Sequence, residues 1–216
     1  RGCDVFIVQT HSGSEDSSIN DSLMEQLIMV DAAKRASAKR ITVVCPAYGY
    51  GRQDRKASGR EPITAKLVAN LFKEAGASRL VSVDLHSGQT QGFFDGPVDH
   101  LTAMPVLVER LSSLNGDLTI VSPDAGRVKV AERYAMTLGA ELAIVHKRRS
   151  HSSFNTVEAR EVVGDVDGRV CILVDDMIDT AGTICSAAEQ LAERGASQIV
   201  AAATHGVFSG PASERL

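Results

Sequence analysis

The chain has 216 residues (23.0 kDa), 44% apolar and 23% charged, a balance that excludes disorder and collagen-like structure and allows one large domain or two small ones. A formal charge of −4 argues against non-specific nucleic-acid binding, and the absence of Trp, with only three Tyr and six Phe, suits neither a base-stacking surface nor an all-β sandwich. No run approaches the roughly 18 apolar residues of a membrane span and no signal peptide is visible, so a cytoplasmic location is expected, with no membrane partner.

Residues 5–9 read as a strand, and Asn20 or Asp21 can cap a helix carrying Leu23, Leu27, Val30 and Ala33. Residues 41–45 form the next strand, stopped by Pro46. A polar, Gly-rich stretch follows over 47–61, and a helix starts near Pro62 and ends before Gly76. Residues 80–83 read as a strand, 84–99 as a loop and 105–113 as a helix. A strand over 118–122 is followed by a helix over 127–138 that Gly139 ends, then by a strand over 142–146. A polar stretch over 147–156 precedes a strand around Val162. Residues 170–174 form a continuous apolar strand ending in Asp175, a helix runs from about 183 to 195, and 199–204 form a final strand. Continuous apolar strands separated by helices imply parallel sheets covered on both faces. The alternation occurs twice, so two α/β units are expected, over 1–104 and 105–216. The chain opens on Arg1 next to a strand-like run, and residues are expected to be missing at the front.

The four cysteines, Cys3, Cys45, Cys171 and Cys185, contain no CxxC pair and read as buried free thiols rather than a zinc or redox site. In parallel sheets ligands gather at the carboxyl ends of strands. That rule selects the loops after Cys45, Val83, Ser122, His146 and Val174, where the unusual polar residues concentrate.

The strongest signal is Ile172-Leu-Val-Asp-Asp-Met-Ile-Asp-Thr-Ala-Gly-Thr183. A buried strand runs into Asp175 and Asp176, with Asp179 close behind. Thr180, Ala181, Gly182 and Thr183 then lead into a helix. Small residues and a helix N-terminus suit a phosphate monoester, whereas carboxylates repel phosphate and suit sugar hydroxyls or Mg2+. A loop with both ends fits a pentose phosphate. No P-loop is present. This segment resembles the phosphoribosyl-diphosphate loop shared by type I phosphoribosyltransferases and ribose-phosphate diphosphokinases, and by itself does not choose between them.

Four further segments point to the diphosphokinases (phosphoribosyl pyrophosphate synthetases). Tyr48-Gly-Tyr-Gly-Arg-Gln-Asp-Arg-Lys56, with Arg60 beyond it, is a cationic patch in an acidic chain and resembles the family's ATP-binding stretch. Arg52, Gln53, Asp54 and Lys56 are the ATP-binding candidates. His86, in Val83-Asp-Leu-His86, and Asp124, in Ser122-Pro-Asp124, stand after strand ends and match the family's metal ligands, here for Mg2+. His146-Lys-Arg-Arg149 resembles its mobile catalytic loop, in which Lys147 and Arg149 match the pair that stabilises the transition state.

The resemblance covers essentially the whole chain, although family members are longer at both ends. It implies two pseudo-symmetric type I phosphoribosyltransferase-like units, each a parallel sheet flanked by helices. The activity it implies is transfer of the β,γ-diphosphoryl group of ATP to the 1-hydroxyl of ribose 5-phosphate. Asp175, Asp176 and Asp179 would hold the ribose hydroxyls and residues 180–183 the 5-phosphate. The family further implies self-association, as a dimer-based hexamer, and inorganic phosphate or ADP as allosteric ligands. A phosphoribosyltransferase that consumes the diphosphate and a non-catalytic regulatory homologue are the alternatives.

Overall fold

The computed structural model describes residues 1–13, 16–148 and 159–216, which fall into two compact α/β units, Arg1–Ala103 and Met104–Leu216. The first contains β1 (Asp4–Val8), α1 (Ile19–Arg35), β2 (Arg40–Cys45), α2 (Thr64–Ala75), β3 (Arg79–Val83), a 3-10 helix over Gly88–Phe93, and β4 (Val98–Leu101). Its sheet is parallel throughout, in the order β1-β2-β3-β4. Right-handed crossovers in a sequential order place successive helices on one face. Accordingly α1 and α2 share one core with the sheet, built on Val30, Val43, Val68, Phe72 and Leu80. Each of these large side chains contributes about 1.5–3 kcal/mol by leaving water. The opposite face is bare at the β1 edge, where Phe6 and Val8 are 66% and 64% exposed. Covering on both faces, expected from the apolar runs, does not hold there.

The second unit contains α3 (Met104–Leu111), β5 (Leu118–Ser122), α4 (Val128–Leu138), β6 (Glu141–Arg148), β7 (Ala159–Val163), β8 (Val170–Ile178), α5 (Gly182–Glu193), β9 (Gln198–Gly206) and α6 (Ala212–Arg215). Strand order is β7-β6-β5-β8-β9, with β7 alone antiparallel at one edge. From β5 the chain builds outward to β6 on one side, and from β8 to β9 on the other. The reversal puts α4 and α5 on opposite faces. Successive side chains of β8 therefore serve two cores: Cys171 and Leu173 pack with α5, Ile172 and Val174 with α3 and α4.

Several boundaries differ from the sequence reading. Ser18 caps α1 instead of Asn20 or Asp21, in a reciprocal capping box: its Oγ accepts from Asp21 N–H (3.3 Å) while its own N–H donates to Asp21 Oδ2 (2.8 Å). α2 begins at Thr64, two residues beyond Pro62, and buries Ala65, Val68, Ala69 and Phe72 at helical spacing. The expected loop over 84–99 contains the 3-10 helix and the start of β4. β8 continues through both carboxylates to Ile178, because β9 keeps pairing with it as far as Gly206. All four cysteines are free, but only Cys45 and Cys171 are buried; Cys3 is exposed at the chain's start and Cys185 is intermediate.

Candidate active site

In the first unit, the chain leaves β2 through Pro46 and forms a tight turn over 48–54. Tyr48 Oη donates to Ala65 O (2.9 Å) and Tyr50 Oη donates to Asn20 Oδ1 (2.6 Å). Ala65 N–H donates to Gln53 O (3.2 Å), and Gln53 N–H to Tyr50 O (2.9 Å). With its backbone held in this way, the turn projects Arg52, Gln53 and Lys56 to solvent. Asp54 behaves differently from its neighbours. It is buried, 8% exposed, and its Oδ2 accepts from Gln89 Nε2 (2.8 Å), so it ties the turn to the 3-10 helix.

His86 lies half-buried in the bend after β3, next to the same turn: a Cβ added at Gly51 would stand 3.9 Å from His86 Cβ. The bend is fastened to β4, with Asp84 N–H donating to Leu101 O (2.9 Å) and Leu85 N–H to His100 Nε2 (2.9 Å). The first unit thus sets the turn that carries Arg52 and Gln53 beside the bend that carries His86, at the carboxyl ends of β2 and β3.

In the second unit the strand order reverses between β5 and β8, and the crevice beyond their carboxyl ends is where such a sheet binds ligands. The turn after β5 holds Asp124, whose Oδ1 accepts from Gly126 N–H (2.7 Å), while Ser122 Oγ donates to Asp124 O (2.6 Å). Arg127, at the end of this turn, reaches across to β8. Its Nε lies 3.2 Å from Asp175 Oδ1 and its Nη2 2.5 Å from Asp176 Oδ1. All three side chains are largely buried, at 13%, 15% and 9% exposure. One cation facing two carboxylates leaves a surplus negative charge where water is scarce. Burial pushes the Asp175 carboxyl up to about 7, the adjacent Asp176 carboxylate pushes the same way, and Arg127 opposes both. Sequence reading treated Arg127 only as a helix start; a cation just past a strand end, in the turn facing an acidic strand, was the available signal.

Beyond β8 only Asp179, Thr180 and Ala181 separate strand from helix. Ala181 adopts the left-handed conformation at φ 60°, and no side-chain hydrogen bond caps α5. The first amides of α5, including those of Gly182 and Thr183, therefore point into the crevice end with the positive pole of the helix behind them. Arg215 Nη1 donates to Thr180 O (2.8 Å) and Ser209 N–H to Asp179 O (3.0 Å), which fix the connection from behind.

Lys147 lies on β6, not in a loop, because β7 extends the antiparallel ladder through Lys147–Arg160 to Arg148–Ala159. Arg149 lies outside the described residues. Among the described residues no group of three or more His, Cys, Asp or Glu side chains is assembled for a metal. The donor types nevertheless suit Mg2+, which takes one or two carboxylates and leaves its other positions to water and phosphate oxygens. Asp124 fits that chemistry well, and the nitrogen of His86 is a softer donor. No described helix is long and apolar enough to cross a membrane.

Residues 1–76 match a family model described as the N-terminal domain of ribose phosphate pyrophosphokinase, and residues 159–216 match the phosphoribosyl synthetase-associated domain. The ribose-phosphate pyrophosphokinase of Streptomyces coelicolor is 59% identical over 218 residues, covering all of this chain and 66% of the relative. Ribose-phosphate pyrophosphokinase 1 of Streptococcus pyogenes serotype M3 is 54% identical over 219 residues, covering all of this chain and 67% of the relative. Among solved structures, phosphoribosylpyrophosphate synthetase from Mycobacterium smegmatis superposes with a TM-score of 0.91 at 55% identity, over all of this chain and 69% of that one. The chain thus spans about two thirds of the length of the relatives it matches.

Proposed function

Because the chain belongs to the ribose-phosphate pyrophosphokinase family, we propose that the full-length protein converts ATP and ribose 5-phosphate to 5-phosphoribosyl 1-diphosphate and AMP. The observation that carries this reading is the β5–β8 crevice, where carboxylates suited to sugar hydroxyls stand beside an uncapped helix start suited to phosphate.

The second unit is the ribose 5-phosphate side. The amides and hydroxyls of residues 180–183 hold the 5-phosphate, while Asp175, Asp176 and Asp179 accept from the ribose hydroxyls. The first unit is the ATP side. Arg52, Gln53 and Lys56 contact the nucleotide, and Asp54 sets the turn through Gln89. The 1-hydroxyl oxygen bonds to the β-phosphorus. The bond from that phosphorus to the α,β-bridging oxygen breaks, AMP leaves with the oxygen, and the hydroxyl proton passes to solvent. Lys147 and Arg149 stabilise charge on the transferring group, a role that depends on placement and not on covalent chemistry. His86 in the first unit and Asp124 in the second are each proposed as a Mg2+ ligand, and Mg2+ when bound would neutralise phosphate charge. The bare β1 face, with Phe6 and Val8, supports self-association, for which a dimer-based hexamer is proposed. Inorganic phosphate and ADP are the proposed allosteric ligands.

Incubating the full-length protein with Mg2+, ATP, ribose 5-phosphate and inorganic phosphate tests the reading. AMP must form, and only when the sugar phosphate is present. Pyrophosphate release on supplying phosphoribosyl diphosphate and a base marks a phosphoribosyltransferase instead. A folded protein that makes no AMP in this mixture overturns the reading.

A further inference from the structure

A buried hydrogen-bonded chain in the first unit takes no part in the proposed chemistry. His11 follows β1, is 3% exposed, and stacks on Phe72 of α2 with ring centroids 5.9 Å apart. Gly49 N–H donates to its Nδ1 at 2.9 Å. A backbone amide can only donate, so Nδ1 carries no proton and the neutral ring holds its proton on Nε2. Nε2 then donates to Gln26 Oε1, 2.9 Å away. The orientation of Gln26, itself fully buried, is set independently. Its Nε2 donates to Ile7 O (2.9 Å) and Val44 O (3.2 Å), which leaves Oε1 to accept from His11 and from the Cys45 thiol at 3.3 Å. Carbonyls of β1 and β2 therefore orient the amide, the amide selects the tautomer, and the tautomer presents a lone pair to Gly49. Only glycine fits there, since a Cβ would fall 2.9 Å from His11 Cβ and 3.0 Å from Nδ1.

We propose that His11 is a positioning residue for the nucleotide turn, holding through Gly49 the backbone from which Arg52 and Gln53 extend; this rests on the reading of those two residues as ATP contacts. Gly49 sits at the head of the turn, and the bonds from Gly51 N–H to Tyr48 O (3.1 Å) and from Gln53 N–H to Tyr50 O (2.9 Å) transmit its position to Arg52. Protonating His11 would set two donors, Nδ1–H and Gly49 N–H, against each other. Among the described residues the titratable groups nearest this chain are Tyr48 of the turn, beside the ring, and Cys45 of β2, which reaches it through Gln26; burial favours the acid form of both, while α1 and α2 present Gln26 and Phe72. None of these supplies a negative charge, and burial lowers the proton affinity of His11. The ring therefore stays neutral down to below its ordinary 6.5, and only stronger acid would disturb the turn through it.

Steady-state kinetics of the full-length protein test the proposal with two variants. His11→Leu fills the space without an acceptor; His11→Asn keeps an acceptor oxygen near the place of Nδ1. The expected result is a five- to tenfold higher KM for ATP in His11→Leu, the scale of one hydrogen bond. Its kcat and its KM for ribose 5-phosphate stay within about twofold, and His11→Asn restores most of the ATP affinity. In the wild type the contribution of His11 to kcat/KM for ATP is kept through neutrality and lost only on acidification below the ordinary histidine value of 6.5, with a proton dependence that His11→Asn lacks. Equal loss in the two variants, or loss spread over both substrates, overturns the proposal in favour of a purely structural role. Normal AMP formation with an unchanged KM for ATP in His11→Leu overturns it alone. A wild type that makes no AMP overturns the functional reading and the proposal with it. Imidazole 15N shifts of the wild type give a check that needs no variant: a proton on Nδ1 contradicts the proposed tautomer.

Discussion

Arg127 holds two largely buried carboxylates, Asp175 and Asp176, with a single positive charge. Removing one partner of such a cluster is costlier than the cluster's own net worth, because the remaining charges stay out of water. Arg127→Leu is expected to lose about 2–4 kcal/mol at pH 8, somewhat below the full cost of breaking a buried pair because the carboxylates keep some solvent. The loss should shrink at pH 5.5, where Asp175 takes a proton; chemical denaturation at the two pH values measures it. Asp175 has its own signature. Its folded proton affinity is raised to about 7 from an ordinary 3.8, so the folded state binds more protons between those values. Its contribution to stability is full below about pH 4 and is lost as pH rises through 7. Asp175→Asn should therefore show a flatter decline of Tm from pH 5 to pH 8 than the ligand-free wild type, and an unchanged slope would contradict the burial argument. Residues such as Arg127, His11 and Gln26 were not legible as a group, because their meaning lies in partners far along the chain: Arg127 meets carboxylates on β8, and His11 meets Gly49.

At the scale of elements, the apolar runs of β2, β5 and the first half of β8 announced themselves, and so did the helix stop at Gly139, which is left-handed at φ 63° and ψ 33°. The continuation of β8 through Asp175 and Asp176 did not. Carboxylates disfavour strands by local preference, and only pairing with β9 keeps them extended. The same cause moved Lys147 from a loop to a strand, since β7 supplies the ladder that residues 141–148 alone cannot show. The cap at Ser18 was legible in principle, as Ser18 stands three residues before an acidic one, but Asn20 and Asp21 are themselves good cap residues and compete for the assignment. Lys147→Ala is expected to lower kcat by at least about a hundredfold while KM for either substrate changes by a few-fold. A near-normal kcat would remove Lys147 from the transition state.

For the molecule as a whole, the charge of −4 conceals an unequal distribution: exposed cations on the turn after β2, and a surplus of carboxylate in the β5–β8 crevice. That division suits the two ligands proposed above, a polyphosphate for the first unit and a sugar with hydroxyls for the second. The two sheets also differ in design. A sequential strand order leaves the β1 edge of one face of the first bare, whereas the reversed order of the second creates the crevice and places a core on each face. The division into two α/β units was visible in the alternation of patterns, but strand order was not, since pairing between β5 and β8 skips the intervening β6 and β7. The proposed reaction passes a diphosphoryl group intact from nucleotide to sugar. The direct measurement gives the full-length protein ATP labelled at the γ-phosphorus, with ribose 5-phosphate and Mg2+, and follows the label and the nucleotide product together. Diphosphoryl transfer puts label in phosphoribosyl diphosphate with AMP in equal amount; label in a sugar bisphosphate with ADP as the nucleotide product would contradict it.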